Sequence, residues 1–364
     1  MGLRCGIIGL PNVGKSTIFN ALTAASAEAS NYPFCTINPN FGQVPIKDDR
    51  LDKIVALIET KKIVPATIEF VDIAGLVRGA HKGEGLGNQF LSHIMEMDAL
   101  VHAVRCFNDS DVVHVEGDVD PVRDIEIVET EIVLKDIEFI RRGIERLRRT
   151  AKAGDAHARK ELAACESLTE KLDNGIQLRH AELNQDEIAR VEEMKLLSAK
   201  SVIYVLNVSE DDIDQHSDAI KRVREYAGRT NTAVVCLSGK LEEELIQLDE
   251  SDRIEFMNDL GLTKLGLDTL AGEAFKTLGL VTFFTANENE LRAWNIPHGT
   301  KAPQAAGKIH TDFERGFIKA EVVSCEEFVK YSGEHGAKEH GALRLEGKEY
   351  EVTDGDIILF RFNV

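Results

Sequence analysis

A glycine-rich stretch near the start of the chain restricts its fold more than any other feature. It reads Gly9-Leu10-Pro11-Asn12-Val13-Gly14-Lys15-Ser16, which fits the pattern G-x-x-x-x-G-K-[ST], and it joins an apolar run (residues 3–9) to a helical stretch (residues 15–25). In such a loop the glycines let backbone N–H groups turn inward around phosphates, the lysine reaches the outer phosphates, and the serine hydroxyl holds Mg²⁺. Lys15 is therefore also a candidate catalytic residue. The predicted phosphate-binding residues are Gly9, Asn12, Val13, Gly14, Lys15, Ser16 and Thr17.

The pattern of apolar runs predicts an α/β domain around this loop. Further runs rich in Val and Ile occur at residues 67–71, 99–106, 201–208 and 232–237, and helical periods lie between them. This alternation predicts a mostly parallel sheet covered by helices on both faces.

Two other segments differ in character and predict separate domains. Residues 121–200 are dense in Glu, Arg, Leu and Ile at helical spacing, which favours two long helices packed as an antiparallel coiled-coil hairpin. From about Gly279 onward, short β-like segments separated by turns indicate a small β-rich domain. These segments are 281–285, 316–322, 342–345, 349–352 and 357–364. We predict a nucleotide-binding domain at 1–120 and 201–278, a helical insertion at 121–200 and a C-terminal domain at 279–364.

Composition narrows the class of protein and its surroundings. The 43% hydrophobic and 29% charged residues are those of an ordinary globular protein. There is no run of about 18 apolar residues and no signal-peptide-like start. The six cysteines are scattered without a C-x-x-C pair, which favours reduced thiols over a zinc site. We expect a cytoplasmic monomer with no membrane partner.

The charge of the chain bears on nucleic-acid partners. A net charge of −19 argues against a protein that coats nucleic acid through bulk electrostatics. A local basic face is nevertheless present in the helical insertion, where an RNA contact and a solvated helix face balanced by glutamates are both open interpretations. Its residues are Arg141, Arg142, Arg146, Arg148, Arg149 and Lys152.

A second element supports the phosphate loop. Residues 68–75 form an apolar run that ends in D-x-x-G, with Asp72 and Gly75 at its two fixed positions. This arrangement places a carboxylate beside the metal and a glycine N–H near the terminal phosphate. Thr36, in the intervening loop, is available as a further metal ligand. The sequence therefore predicts Mg²⁺ held by Ser16, Thr36 and Asp72, and a phosphate-sensing segment at residues 75–87.

A longer pattern resembles a known family. Residues 72–80, with the glycines that follow at 83, 85 and 87, resemble the Obg branch of translation-associated GTPases. The helical insertion and the β-rich C-terminus narrow the resemblance to the YchF family of Obg-like ATPases. Residues 299–312 resemble the TGS module, which implies a β-grasp fold for the C-terminal domain. The resemblance covers essentially the whole chain, and it implies the ribosome as a partner.

The base-reading motif departs from that of GTPases. In N-K-x-D the aspartate accepts hydrogen bonds from N1–H and the 2-amino group of guanine, whereas adenine lacks that amino group and its N1 is an acceptor. Here the motif reads Asn207-Val208-Ser209-Glu210, so the lysine is absent and the acid is one methylene longer. We expect Asn207 to bond the N7 and 6-amino edge of adenine while Val208 flanks the base, although Asn207 could also be a strand-end turn residue.

One further feature completes the predicted base site. Ser238-Gly239-Lys240 resembles the S-A-K loop that closes the base pocket of GTPases. The resemblance to the YchF family implies that the whole pattern, with Glu210 in place of aspartate, prefers ATP.

Catalysis shows a second departure. Many GTPases place a water-orienting glutamine directly after D-x-x-G, and this chain has Leu76 there, which cannot orient water. The resemblance implies that His114, in the polar loop 108–120, takes that role, while a bystander histidine remains the alternative. Asn12 matches the position at which related NTPases help to bind K⁺, and we hypothesise stimulation by potassium.

The favoured function is a slow ATPase switch whose nucleotide state controls docking of the helical and C-terminal domains onto a partner. A GTPase with a tolerant base pocket is the alternative within the same enzyme class. An RNA or ribosome adaptor that uses nucleotide as a structural ligand is the alternative from another class, with RNA contacted through the helical or C-terminal domain.

Overall fold

The computed structural model describes residues 3–29, 41–73, 93–213 and 216–363. Within these ranges the strands are β1 (Arg4–Ile8), β2 (Phe41–Pro45), β3 (Ile63–Val64), β4 (Thr67–Asp72), β5 (Ala99–Arg105), β6 (Ser201–Asn207), β7 (Ala233–Leu237), β8 (Leu280–Ala286), β9 (Leu291–Pro297), β10 (Phe317–Ser324), β11 (Arg344–Glu346) and β12 (Asp356–Phe362). The α-helices are α1 (Lys15–Ala29), α2 (Asp49–Val55), α3 (Pro121–Lys152), α4 (Ala156–Asp173), α5 (Gln185–Met194), α6 (Asp218–Gly228), α7 (Gly239–Ile246), α8 (Glu250–Asp259), α9 (Gly266–Thr277), α10 (Ala302–Ile309), α11 (Thr311–Arg315), α12 (Cys325–Lys330) and α13 (Glu334–Glu339).

The chain forms two compact units, and their boundary differs from the predicted division. The first unit comprises Met1–Gln43 and Glu69–Ala274, and the second comprises Val44–Ile68 and Phe275–Val364. Residues 44–68 were predicted to belong to the nucleotide-binding domain. They join the second unit because Leu51 and Ile54 are buried in the same apolar cluster as Phe284 and Phe328.

The sheet of the nucleotide-binding unit has the strand order β2-β4-β1-β5-β6-β7. Strand β1 pairs in parallel with β4 and β5, and the parallel pairing continues through β6 to β7. All seven residues of β5 are buried, as expected for a central strand that is covered on both faces. The prediction of a mostly parallel α/β sheet is confirmed.

The register of this sheet decides where a ligand can bind. Ile7 of β1 pairs with Asp72 at the end of β4, and Asn207 at the end of β6 pairs with Arg105 and Leu237. The carboxyl ends of these strands therefore meet at one edge, which is where open α/β sheets bind their ligands.

The helical insertion is a hairpin of α3 and α4. Asp120 caps the start of α3 through its side chain, and Pro121 occupies the first turn, where its missing N–H has no intrahelical partner to lose. The two helices bury a shared apolar stripe that includes Ile137, Ile140 and Leu168. Since α3 has 32 residues and α4 has 18, the long hairpin predicted from the sequence is present.

The second unit has a six-stranded mixed sheet with the order β11-β10-β12-β8-β9-β3. Strand β9 was not predicted, because its apolar residues are interrupted by Arg292 and Asn295. It is paired along its length with β8. The segment predicted as a strand at 349–352 contributes only an isolated bridge from Glu351 to Lys301. Within the described ranges, no helix combines the length and the apolar composition that crossing a membrane requires.

Candidate active site

The backbone of the phosphate loop requires glycine at two of its positions. Gly9 and Gly14 have φ angles of 147° and 92°, which side chains rarely adopt. A Cβ on Gly14 would lie 2.1 Å from the side-chain nitrogen of Asn207, and one on Gly9 would lie 2.4 Å from a backbone oxygen of Ala103. Both glycines are therefore required by conformation and by space.

Lys15 lies folded back onto this loop. Its Nζ donates to the backbone oxygen of Leu10 at 2.8 Å, and the side chain is buried. Burial lowers the pKa of Lys15 to about 8, and the nearby carboxylate of Asp72 opposes the shift. Among the described residues, the ammonium is thus held by one neutral acceptor, which lies inside the loop.

Two of the predicted metal ligands are brought together. The hydroxyl of Ser16 donates to Oδ2 of Asp72 at 3.2 Å, because β1 and β4 end side by side. Burial raises the pKa of Asp72, while the Ser16 hydrogen bond and the charge of Lys15 lower it. A hydroxyl and a carboxylate are the hard oxygen donors that suit Mg²⁺. The predicted residues Thr36 and Gly75 lie outside the described residues.

Asn207 bonds both the phosphate loop and the turn that begins α7. Its Nδ2 donates to the backbone oxygen of Val13 at 2.9 Å, and its Oδ1 accepts from the backbone N–H of Gly239 at 2.9 Å. The side chain is buried and ties the phosphate loop to the turn that begins α7. The amide nitrogen has a second N–H, so the bond to adenine expected from the sequence stays a prediction beside this anchoring role.

The other base-side residues surround this anchor. Val208 is buried and its N–H donates to the backbone oxygen of Leu237, while the hydroxyl of Ser238 caps α7. The carboxylate of Glu210 lies at the solvent-exposed rim, where it accepts from Lys240 at 3.0 Å. A Cβ on Gly239 would lie 3.4 Å from the methyl group of Thr17, so the loop and this turn are in close approach.

His114 is withdrawn from solvent. Its Nε2 lies 2.8 Å from Oδ2 of Asp124, and its Nδ1 accepts from the backbone N–H of Glu116 at 3.1 Å. Since Nδ1 is an acceptor, the proton of the neutral ring is on Nε2 and is donated to Asp124. Both ring nitrogens are therefore in use in this conformation, and the role of His114 in orienting water stays a prediction.

Arg105 and Asp124 were not singled out from the sequence, and both shape the loop that carries His114. Arg105 is buried and donates to backbone oxygens of Phe107 and Val112, as well as to that of Asp109. A lone arginine at the end of a strand that is apolar except for His102 was the available signal. Asp124, in the first turn of α3, had no distinguishing signal among its acidic neighbours.

Asn12 connects the phosphate loop to the same segment. Its Nδ2 donates to the backbone oxygen of Val113 at 3.1 Å, next to His114 in the chain. Its φ angle of 62° holds this side chain on the exposed surface of the phosphate loop.

The fold and this site define the chain as a P-loop nucleoside-triphosphatase. The family model described as "50S ribosome-binding GTPase" matches residues 4–138, and the YchF-GTPase_C model, described as "Protein of unknown function (DUF933)", matches residues 280–363. The chain is 49% identical to a protein of Pasteurella multocida and 48% identical to one of Bacillus subtilis, both named "Ribosome-binding ATPase YchF", over all of each chain. A solved structure of the Schizosaccharomyces pombe YchF GTPase has 36% identity and a TM-score of 0.90, covering 99% of this chain and 98% of that one. The chain belongs to the YchF family.

Proposed function

We propose that this protein binds and slowly hydrolyses ATP, in preference to GTP, as a conformational switch, and that the ribosome is its partner in the cytoplasm. The observation that carries the proposal is the meeting of Lys15, Ser16 and Asp72 at one sheet edge in a chain that is similar along its whole length to proteins named as ribosome-binding ATPases. Because the S. pombe relative is described as a GTPase, the preference for adenine does not follow from the family alone.

Phosphate binding would use groups that the loop already presents. The ammonium of Lys15 would exchange the oxygen of Leu10 for phosphate oxygens, which would also stabilise its charged form. Ser16 and Asp72 would hold Mg²⁺, with Thr36 as the further hydroxyl ligand and the N–H of Gly75 at the terminal phosphate. When bound, Mg²⁺ neutralises the charge that develops on the transferred phosphoryl group.

The residues at the positions of N-K-x-D support a preference for adenine over guanine. Guanine recognition needs a free carboxylate that faces its two N–H donors. Glu210 is instead paired with Lys240 at the rim, and Val208 offers a buried apolar side chain in place of the lysine. We propose that Val208 and backbone groups near Asn207 contact adenine, while Asn207 itself holds the two halves of the pocket together.

Water activation is the least prepared step of the proposed reaction. Leu76 cannot orient water, so we propose that His114 does so after it leaves Asp124. Asn12 would help to bind K⁺ beside the phosphates, and replacement of K⁺ by Na⁺ would then lower the hydrolysis rate.

Calorimetric titration of the nucleotide-free protein with non-hydrolysable Mg²⁺-ATP and Mg²⁺-GTP analogues tests the base preference. We expect ATP to bind at least tenfold more tightly, a difference of about 1.4 kcal/mol. The double variant Val208→Lys/Glu210→Asp restores N-K-x-D and is expected to shift the preference towards GTP, with Glu210→Gln as the control. Tighter binding of GTP by the unaltered protein would contradict the proposal.

A second candidate function, the RNA or ribosome adaptor, is favoured by the basic face of the helical insertion. Arg141, Arg142 and Arg148 pair with carboxylates of the hairpin. Within the described residues, Arg146 and Arg149 are exposed and have no acidic partner. These two guanidinium groups are available to phosphates.

Ribosome cosedimentation separates the two functions. The double variant Arg146→Glu/Arg149→Glu should weaken cosedimentation, with Arg142→Glu as the matched control on the same helix. If binding is lost while hydrolysis is unchanged and unaffected by ribosomes, nucleotide acts as a structural ligand and the adaptor function is favoured. If ribosomes stimulate hydrolysis only in the unaltered protein, the switch is favoured.

A further inference from the structure

In the loop between β5 and α3, apolar side chains are exposed and a polar one is buried, which is the reverse of what the hydrophobic effect favours. Val113 and Val115 are 74% and 45% exposed, whereas His114 between them is 7% exposed. Exposure of two valines forfeits apolar burial, and withdrawal of an imidazole removes it from water. Specific contacts must therefore hold this arrangement.

Those contacts come from both sides of the loop. On one side, Arg105 fixes the backbone of residues 107–112 through three carbonyl oxygens, and Asn12 of the phosphate loop bonds the oxygen of Val113. On the other side, Asp124 accepts the Nε2 proton of His114 and is itself bonded by Arg123. A hydrogen bond to a buried carboxylate is among the stronger kinds.

The short turn between these two sides has open space at Gly117. Residues 114–117 close through a bond from the N–H of Gly117 to the oxygen of His114. Gly117 has a φ angle of 91°, and the space where its Cβ would be is open. Rotation in this turn would exchange the inward histidine for an outward one without disturbing the part that Arg105 holds.

We propose that Asp124 is a positioning residue that holds His114 in a withdrawn pose, and that the bond from Asn12 to Val113 couples release of His114 to occupation of the phosphate loop. The inference rests on the proposed role of His114 in hydrolysis. A nucleotide or cation that draws the Asn12 side chain towards the phosphates breaks the bond to Val113, and the turn then loses one of its supports.

The position of Asp124 adds a second route to release. Asp124 lies in the first turn of α3, the helix that begins the insertion. A partner that displaces the start of α3 therefore displaces the acceptor of the His114 proton with it. The contact between Asp124 and His114 is either made or broken. Binding at the phosphate loop and binding of a partner at the start of α3 can therefore both shift its equilibrium.

Chemical modification of histidines reads the pose directly, without reference to activity. The full-length protein is treated with diethyl pyrocarbonate, and each histidine is quantified by peptide mass spectrometry. His335 and His157, whose side chains are 89% and 81% exposed, serve as reactive references, and buried His102 serves as the protected one. We expect His114 to be protected in the nucleotide-free protein and to react at least tenfold faster in Asp124→Asn, as a loss of about 1.4 kcal/mol of holding energy would give.

Addition of a non-hydrolysable Mg²⁺-ATP analogue should raise the reactivity of His114 in the same direction. Glu126→Gln, a change of an exposed carboxylate two residues further along α3, should leave it protected. Protection of His114 that is unchanged in Asp124→Asn overturns the proposal.

Hydrolysis rates distinguish failure of this inference from failure of the proposed function. Asp124→Asn should raise kcat severalfold with little change in KM, and adding His114→Ala should abolish that gain. If His114→Ala alone leaves kcat unchanged, the proposed role of His114 is wrong. If His114→Ala lowers kcat and Asp124→Asn lowers it as well, Asp124 supports a working histidine and does not withhold it.

Discussion

The phosphate loop and the loop that carries His114 follow neighbouring strands, β1 and β5, but they are built in different ways. The first is shaped mainly by its own backbone, with glycines at conformations and spacings that permit nothing larger, and is anchored by Asn207. The second is fixed by side chains from elsewhere, namely Arg105, Asn12 and Asp124. If His114 orients water as proposed, the site has a preformed binding half and a half that must rearrange, which suits the proposed slow switch.

The largest effect on catalysis is expected at Lys15. Lys15→Ala should lower kcat/KM by about 10²–10³-fold, the usual cost of losing a group that stabilises transition-state charge. The thermal midpoint should not fall, because burial disfavours the charged ammonium in the nucleotide-free fold. His114→Ala should instead lower kcat with little effect on nucleotide affinity. Steady-state kinetics and thermal unfolding check both, and equal loss of affinity in the two variants would remove the distinction between the loops.

Two glycines with similar φ angles, one in each loop, test whether the loops differ in rigidity. Gly14 and Gly117 have φ angles of 92° and 91°, but only at Gly14 would a Cβ meet another group, the Asn207 amide. Gly117→Ala should cost about 1 kcal/mol of unfolding free energy from backbone strain alone. Gly14→Ala should cost about 2–4 kcal/mol, because a collision is added to the strain.

Urea denaturation of both variants measures these costs. Equal losses of unfolding free energy would mean that Asn207 moves aside easily for a Cβ on Gly14. The phosphate loop would then not be the more rigid of the two loops.

The smallest effect is a proton taken up when nucleotide binds. In the free protein the pKa of Lys15 is lowered to about 8, so the side chain is half neutral at that pH. Triphosphate favours the charged form and raises the pKa, and binding should therefore take up about half a proton at pH 8 and almost none at pH 6.5. Calorimetry in two buffers of different ionisation enthalpy measures the uptake. Release of protons, or uptake that is larger at pH 6.5, would contradict this account.

Local sequence patterns predicted much of the first unit. The predicted strand at 99–106 is observed at Ala99–Arg105, and the one at 201–208 is observed at Ser201–Asn207, because buried parallel strands need continuous apolar runs. The edge of the sheet where Ser16 meets Asp72 followed from the order of strand, loop and helix. Strand β9 was missed since its alternation is weak and its stability comes from pairing with β8.

For the site residues, too, local sequence predicted the position of a residue but not the partners of its side chain. The motif predicted that Asn207 lies at the pocket, but its bonds to Val13 and Gly239 depend on residues that are 194 and 32 positions away. The partner of His114 was equally hidden, because nothing in the sequence separates Asp124 from the other carboxylates near it.

The sequence by itself determined the phosphate loop, the strand ends that carry its partners and the helical hairpin. Each of these follows from backbone conformation or from apolar periodicity within a short segment. Only the tertiary structure decided that residues 44–68 join the second unit, that Asn207 is an anchor and that His114 is withdrawn. The reason is physical, since a hydrogen bond between distant residues depends on which groups the whole fold brings within about 3 Å.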